Sequence, residues 1–310
     1  MKDIRSALIV GAGAVGAAVA AIIHKSAPGK ARVLADPSRI ARYAREGFVV
    51  NGERLDFPLV PASVPPAPGE ESDLILVAVK NQHLGSAIAD MAPFVGAGTL
   101  ILSLLNGITS EDDLSAAFGR EKVPYAMILG IDAVRVGNAT DFAAAGKIHF
   151  GDARNPPRAW SDRVSRIASF FDRTGVGHVV PEDMIRDLWF KFMINVGINQ
   201  ASAVLRSTYG AFQRLPEAKA AMEAAMLELI AISRAKGTGL VESDLGAWYG
   251  TLLTLSPDSK TSMLQDVEAG RKTEVEAFAG TVIALGEETG VPTPVNRLLF
   301  DLIRTMEQSY

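Results

Sequence analysis

Three glycines placed directly after a short apolar run constrain this chain most. Gly11-Ala12-Gly13-Ala14-Val15-Gly16 follows Ala7 to Val10 and opens an alanine-rich helical pattern. In that setting the spacing has a physical meaning. The first glycine makes a tight turn, the second lets backbone approach a pyrophosphate, and the third lets the helix pack closely on its strand. The helix N-terminus adds unsatisfied N–H groups and partial positive charge. A strand at Ala7 to Val10, a helix at Val15 to His24 and a second strand at Ala31 to Ala35 make one compact βαβ unit. Gly11, Ala12, Gly13, Ala14, Val15 and Gly16 are therefore the expected dinucleotide-binding residues. A glycine-rich turn in an unrelated fold is the alternative, and the strand and helix separations disfavour it.

Asp36 ends the second strand, 20 residues after Gly16. A carboxylate there can accept hydrogen bonds from the adenosine ribose of NAD(H) and would repel the 2′-phosphate of NADP(H), so the local chemistry favours NAD(H). The structural alternative is a helix N-cap before Pro37. If Asp36 turns aside, Arg39 is a phosphate candidate.

The rest of the first half alternates apolar runs with helical patterns, as expected for a parallel sheet covered by helices. Asn51-Gly52 between extended segments predicts a hairpin within residues 48–60. Leu74 to Val79 and Thr99 to Leu104 read as strands buried on both faces, ending at Lys80 and Asn106. Strands near Val123 to Leu129, Lys147 to Phe150 and Val176 to Val180 are expected to continue the same sheet, with a helix at Trp160 to Arg173. After Pro181 the pattern turns helical. The predicted architecture is an α/β Rossmann-type domain over residues 1–182 and an all-α domain over 183–310, with no internal repeat.

Composition removes several function classes. A net charge of −4 offers no basic footprint for a nucleic acid. With no cysteine, thiolate metal sites, disulfides and cysteine nucleophiles are excluded. His24, His83, His149 and His178 have no metal-ligand spacing, and no G-x-S-x-G elbow is present. Lys2 and Arg5 before the apolar run to Ile23 imitate a secretory leader, but glycines interrupt the run. No segment has the roughly 18 unbroken apolar residues of a membrane span. The expectation is a cytoplasmic protein with no membrane or nucleic-acid partner. Trp189, Trp248 and Tyr249 belong either to a homodimer face or to the core of the helical half.

The most informative later segment runs from Leu188 to Gln200. Lys191, Asn195 and Asn199 succeed one another at intervals of four in an otherwise apolar helix, which stacks them on one face. A solvated stripe normally carries several charges. A single lysine among amides and bulky hydrophobes fits a stripe lining a ligand cleft better.

These motifs, with Val77-Ala78-Val79-Lys80, Leu105-Asn106-Gly107, Ser262-Met263-Leu264-Gln265-Asp266 and Thr273-Glu274, occur in an order that resembles the ketopantoate reductases along nearly the whole chain. The resemblance implies reduction of 2-dehydropantoate to pantoate with NADP(H), in pantothenate and coenzyme A synthesis. It implies that Lys191 is the general acid and that Glu274 is the catalytic carboxylate orienting substrate and cofactor. Asn195, Asn199 and Ser262 would then be substrate-binding, Lys80 cofactor-binding, and Asn106 would contact both cofactor and substrate. Closure of two domains over the substrate would also be expected.

Two positions depart from the family pattern. Asp36 stands where NADPH-dependent members carry a basic residue, and Tyr209 stands where a further substrate-binding asparagine is expected. Two alternatives follow. One is an NAD-dependent D-2-hydroxyacid dehydrogenase of the mandelate type on the same scaffold; the other is a non-catalytic dinucleotide-binding protein. Retention of both Lys191 and Glu274 disfavours the second, since a pure binder needs no proton donor.

Overall fold

The computed structural model describes residues 3–309 of the 310-residue chain, so Lys2 of the leader-like start lies outside the described residues. Two compact units divide it, residues 1–106 with 110–184, and residues 107–109 with 185–310.

The first unit is organised by a five-stranded, fully parallel sheet built from β1 (Ala7–Val10), β2 (Ala31–Ala35), β5 (Leu59–Pro61), β6 (Leu74–Val77) and β7 (Leu100–Ser103), ordered β5-β2-β1-β6-β7. Strict side-chain alternation, with both faces covered, explains why β1 and β6 are apolar throughout and why Arg32 and Ser103 are the only polar residues in the other three. Ala7, Ile9, Leu74, Leu76 and Leu102 enter one core, while Leu8, Val10, Ile75, Val77 and Ile101 enter another on the opposite face. Helix α1 (Ala14–Ser26) covers the first face, and its buried Ala17, Ala18, Ala20 and Ala21 let the backbone approach closely. Helix α2 (Pro37–Glu46) follows β2, while α3 (Leu84–Met91) and α4 (Ser110–Phe118) contribute Leu84, Met91 and Leu114 to the second face. Arg5, the described cation of the leader-like start, is tied through Nε to Asp73 Oδ2 at 2.9 Å.

The hairpin at Asn51-Gly52 is present: β3 (Phe48–Val50) and β4 (Glu53–Leu55) pair antiparallel, with both turn residues at positive φ (49° and 78°) as a primed turn requires. The later strands do not continue the main sheet, contrary to expectation. β9 (Val134–Val136) and β10 (Ala139–Asp141) join the hairpin in a four-stranded sheet, β4-β3-β10-β9. β8 (Tyr125–Ile131), β11 (Ala145–Gly151) and β12 (His178–Val179) form a third sheet, β12-β11-β8. Strand propensity makes a segment extended without choosing its partner. Here the β9–β10 hairpin folds the chain back, so that β8 pairs antiparallel with β11 from Tyr125↔Gly151 to Ile131↔Ala145. Helix α5 (Asp162–Thr174) starts at Ser161, whose hydroxyl caps Val164 N–H.

The second unit is helical: α6 (Met184–Ile194), α7 (Gln200–Leu205), α8 (Tyr209–Arg214), α9 (Pro216–Lys236), α10 (Asp244–Leu252), α11 (Ser262–Glu268), α12 (Thr281–Thr289) and α13 (Pro294–Glu307). The long α9 supplies Met222, Met226, Leu229 and Ile230 to its core, which also holds Trp189 and Trp248. Buried polar pairs fix the packing. Glu228 on α9 caps α13 by accepting from Val295 N–H (2.7 Å) and Asn296 N–H (3.0 Å). Arg186 reaches Asp244 at 2.6 Å, joining α6 to α10. No helix among the described residues is long and apolar enough to cross a membrane.

Candidate active site

In the first unit the site residues expected from sequence collect at the carboxyl ends of adjacent parallel strands, where open α/β sheets bind ligands. The glycine turn follows β1, Asp36 follows β2, Lys80 lies three residues beyond β6, and Asn106 three beyond β7. The turn shows which glycines the fold itself requires. Gly11 has φ +94°, and a Cβ on it would sit 2.6 Å from Val79 Cγ1 and 2.8 Å from the Ala78 backbone. A Cβ on Gly16 would meet the Gly11 carbonyl at 2.0 Å. Gly13 differs: its φ is −73°, and the nearest atom to an added Cβ is Ala78 O at 4.0 Å. Protein packing leaves room at Gly13, so no contact within the described residues requires its missing side chain. Gly13 is also the N-cap of α1, with no side-chain cap and no acid in the first turn. The helix therefore presents backbone N–H groups and positive potential uncompensated, a set of donors suited to a dinucleotide pyrophosphate.

Asp36 adopts the N-cap geometry. Its Oδ1 accepts from Ser38 Oγ (2.6 Å) and Arg39 N–H (2.9 Å), and its Oδ2 lies 3.2 Å from Arg39 Nε. The Ser38 hydroxyl, then the Arg39 N–H, hold this exposed carboxyl below the usual carboxylate range. Lys80 is exposed, and the carbonyl of half-buried Asn106 accepts from Asn81 Nδ2 at 3.0 Å. Beneath Asn106, Ser103 Oγ shares a 2.7 Å hydrogen bond with Ser110 Oγ and accepts from Leu105 N–H, and Ser110 donates to Glu111. One further neighbour carries no signal in the sequence. Arg135 on β9 extends its guanidinium to the glycine turn and donates from Nη1 to the Ala12 carbonyl at 2.6 Å.

In the second unit the amide stripe is present, but its helix is not regular. α6 ends at Ile194, Asn195–Asn199 form a π turn, and α7 resumes at Gln200, so an uninterrupted α-helical stack of three is corrected to a stack crossing a widened turn. Close packing accompanies the widened turn. A Cβ on Gly197 would meet Met226 Cε at 2.4 Å, so Gly197 lets this segment press against α9. Gln200 Nε2 bonds back to the Val196 carbonyl at 2.6 Å. Such turns occur often at functional sites.

Lys191 is half-buried and Asn199 buried, with Asn199 Nδ2 donating to Asn195 Oδ1 at 3.5 Å. With Oδ1 accepting that bond, Nδ2 is the amide's remaining donor group, and this nitrogen is buried with no hydrogen-bond partner among the described residues. An unsatisfied buried donor costs about 1–3 kcal/mol, a cost that a ligand acceptor would remove.

α11 packs against the same π turn. Its N-cap Thr261 shares a 2.6 Å hydrogen bond with Ser202 on α7 and accepts from Leu264 N–H, which leaves the adjacent Ser262 exposed. Glu274 is 9% exposed and precedes a second π turn, Glu276–Gly280, that also packs on Asn195–Asn199. The neighbouring Thr273 is held by Glu307 on α13. Lys191, Asn195, Asn199, Ser262 and Glu274 thus lie on elements converging on one π turn. Tyr209 opens α8, and its ring packs against the helical core; burial raises its hydroxyl pKa.

Family models described as ketopantoate reductase PanE/ApbA and its C-terminal part match residues 7–155 and 183–307. A 2-dehydropantoate 2-reductase of Aquifex aeolicus is 26% identical over 309 residues, covering 97% of this chain and 96% of the relative. Among solved structures, 2-dehydropantoate 2-reductase from Geobacter metallireducens GS-15 has a TM-score of 0.83 at 25% identity, covering 96% of this chain and 99% of the other. The ternary structure of D-mandelate dehydrogenase with NADH and anilino(oxo)acetate has a TM-score of 0.86 at 19% identity, covering 98% and 99%, a likeness of fold. With both family models matched in order along a parallel α/β unit and a helical unit, this chain belongs to the ketopantoate reductase family of nicotinamide-dependent oxidoreductases acting on a CH–OH/keto group.

Proposed function

We propose that this protein reduces 2-dehydropantoate to pantoate, a step of pantothenate and coenzyme A synthesis, using NADP(H) or NAD(H). The supporting observation is the buried Asn195 Nδ2, a donor without an acceptor among the described residues, one helical turn from Lys191 and oriented by Asn199. A substrate oxygen is the acceptor this arrangement lacks. A dinucleotide held at the glycine turn would supply hydride for the carbonyl carbon of the 2-oxo acid. Lys191 stabilises the charge developing on the carbonyl oxygen and delivers the proton that completes the alcohol. Glu274 orients the substrate hydroxyl, and the exposed Ser262 hydroxyl donates to the substrate carboxylate. Asn106 and Lys80, at adjacent strand ends, contact the cofactor and the reacting centre. The glycine turn and the α1 N-terminus would hold the pyrophosphate.

A second reading, an NAD-dependent D-2-hydroxyacid dehydrogenase of the mandelate type, draws on two features. Asp36 stands beyond β2, and apolar Tyr209 stands where the family pattern has an asparagine. Steady-state turnover of 2-dehydropantoate and benzoylformate, each with NADPH and NADH, separates the two. Preference for 2-dehydropantoate supports the first reading. Preference for benzoylformate replaces it with the second, and oxidation of neither cofactor with either substrate defeats both.

A further inference from the structure

Arg135 comes from a different sheet than the one carrying the glycine turn, 123 residues away from Ala12 in the chain, yet the two are in direct contact. Its Nη1 donates to the Ala12 carbonyl at 2.6 Å, its Nε donates to the Gly137 carbonyl at 3.0 Å, and its guanidinium lies 5.8 Å from the centre of the Phe48 ring. Two carbonyls and a ring fix the fork in place without neutralising it. None of the described carboxylates forms an ion pair with it. Burial lowers its pKa from the ordinary arginine value; Tyr43 opposes that shift, and the charge of Arg42 adds the smallest contribution downward. A half-buried cation held by carbonyls and without a counter-charge is stabilised by an anion. Arg39 is not equivalent, because its guanidinium is paired with Asp36.

The surroundings are also set up for an anion. Ala12 lies between Gly11 and the uncrowded Gly13, at the uncapped N-terminus of α1, with no acid in the first helical turn. Guanidinium and helix terminus thus bring positive potential to one turn of backbone. We propose that Arg135 is a phosphate-binding residue of the dinucleotide site, delivered to the glycine turn by β9. The ligand chemistry is a dinucleotide phosphate, either the pyrophosphate common to both nicotinamide cofactors or the adenosine 2′-phosphate of NADP(H). This inference rests on the glycine turn being the dinucleotide site.

The test is calorimetric titration of the full-length protein and its Arg135→Gln and Arg135→Lys variants with NADPH, NADH and adenosine. Glutamine keeps an amide donor but carries no charge, and lysine keeps the charge without the fork. The expected result for Arg135→Gln is about ten-fold weaker NADPH binding or more, with a shallower dependence on salt and adenosine affinity unchanged; Arg135→Lys falls in between. Equal loss for NADH assigns the pyrophosphate, and loss confined to NADPH assigns the 2′-phosphate. NADPH and NADH affinities within two-fold of the parent, or an equal loss for phosphate-free adenosine, would overturn the proposal. Gly13→Ala, titrated in parallel, separates the two levels of the argument. Unchanged cofactor binding there removes the dinucleotide-site reading itself, whereas weakened binding there with an unaffected Arg135→Gln removes only the role of Arg135.

Discussion

A single carboxylate oxygen of Glu307 accepts both the backbone N–H and the hydroxyl of Thr273, each at 2.7 Å. The Thr273 hydroxyl oxygen in turn accepts from Val275 N–H at 3.2 Å, so the backbone on both sides of Glu274 is fixed from the last turn of α13. A carboxylate in the last turn of a helix opposes the helix dipole, so Glu307 is placed against local preference and for a tertiary contact. Glu307→Ala is expected to lower stability by about 1–3 kcal/mol and to reduce kcat/KM for the reductase reaction. Glu307→Gln keeps an acceptor oxygen and should recover most of both. Thermal unfolding and steady-state kinetics of the pair check this, and an alanine variant indistinguishable from the parent would contradict it.

The three glycines of the turn should respond differently to alanine. Gly16→Ala places a methyl group 2.0 Å from a backbone carbonyl and should lower stability by about 3 kcal/mol or more. Gly13→Ala meets nothing nearer than 4.0 Å, so its melting temperature should stay close to that of the parent while dinucleotide affinity falls. Melting curves with and without added cofactor distinguish the two.

Glu111 gives the first unit a pH dependence. Burial raises its carboxyl to about 7 against hydrogen bonds from Ala126 N–H, its own backbone N–H and Ser110. Because the folded value lies above the ordinary value of 4.5, folding favours the protonated form. The contribution to stability is complete below pH 4.5 and is lost as the pH rises through about 7. Across that window the loss amounts to roughly 3 kcal/mol. Glu111→Gln should flatten the dependence and melt higher than the parent at pH 8. Melting temperatures from pH 5 to pH 8 that fall equally in both proteins would rule this out.

Lys191→Ala should lower kcat by about 10²- to 10⁴-fold, the usual contribution of a positioned proton donor, while cofactor affinity measured by titration changes little. Asn195→Ala should act mainly on substrate KM, because it removes a donor lacking a protein acceptor. Unchanged kcat in Lys191→Ala would remove the lysine from the mechanism.

What the sequence by itself determined is local. The glycine turn between strand and helix, the doubly buried strands at 74–77 and 100–103, the Asn51-Gly52 hairpin and the N-cap option for Asp36 all follow from steric rules and periodicities within a few residues. The order of motifs was likewise legible along the chain. Tertiary structure alone decided which strands pair, and it divided the later ones between two further sheets. It widened the helix at Asn195–Asn199, where Gly197 meets Met226 on α9, and brought Glu307 to Thr273 and Arg135 to Ala12. Those contacts join residues 29, 34 and 123 positions apart, and no pattern with a period of two or 3.6 residues carries information over such separations. They are chosen by mutual burial and hydrogen-bond satisfaction, which exist only once the chain is folded.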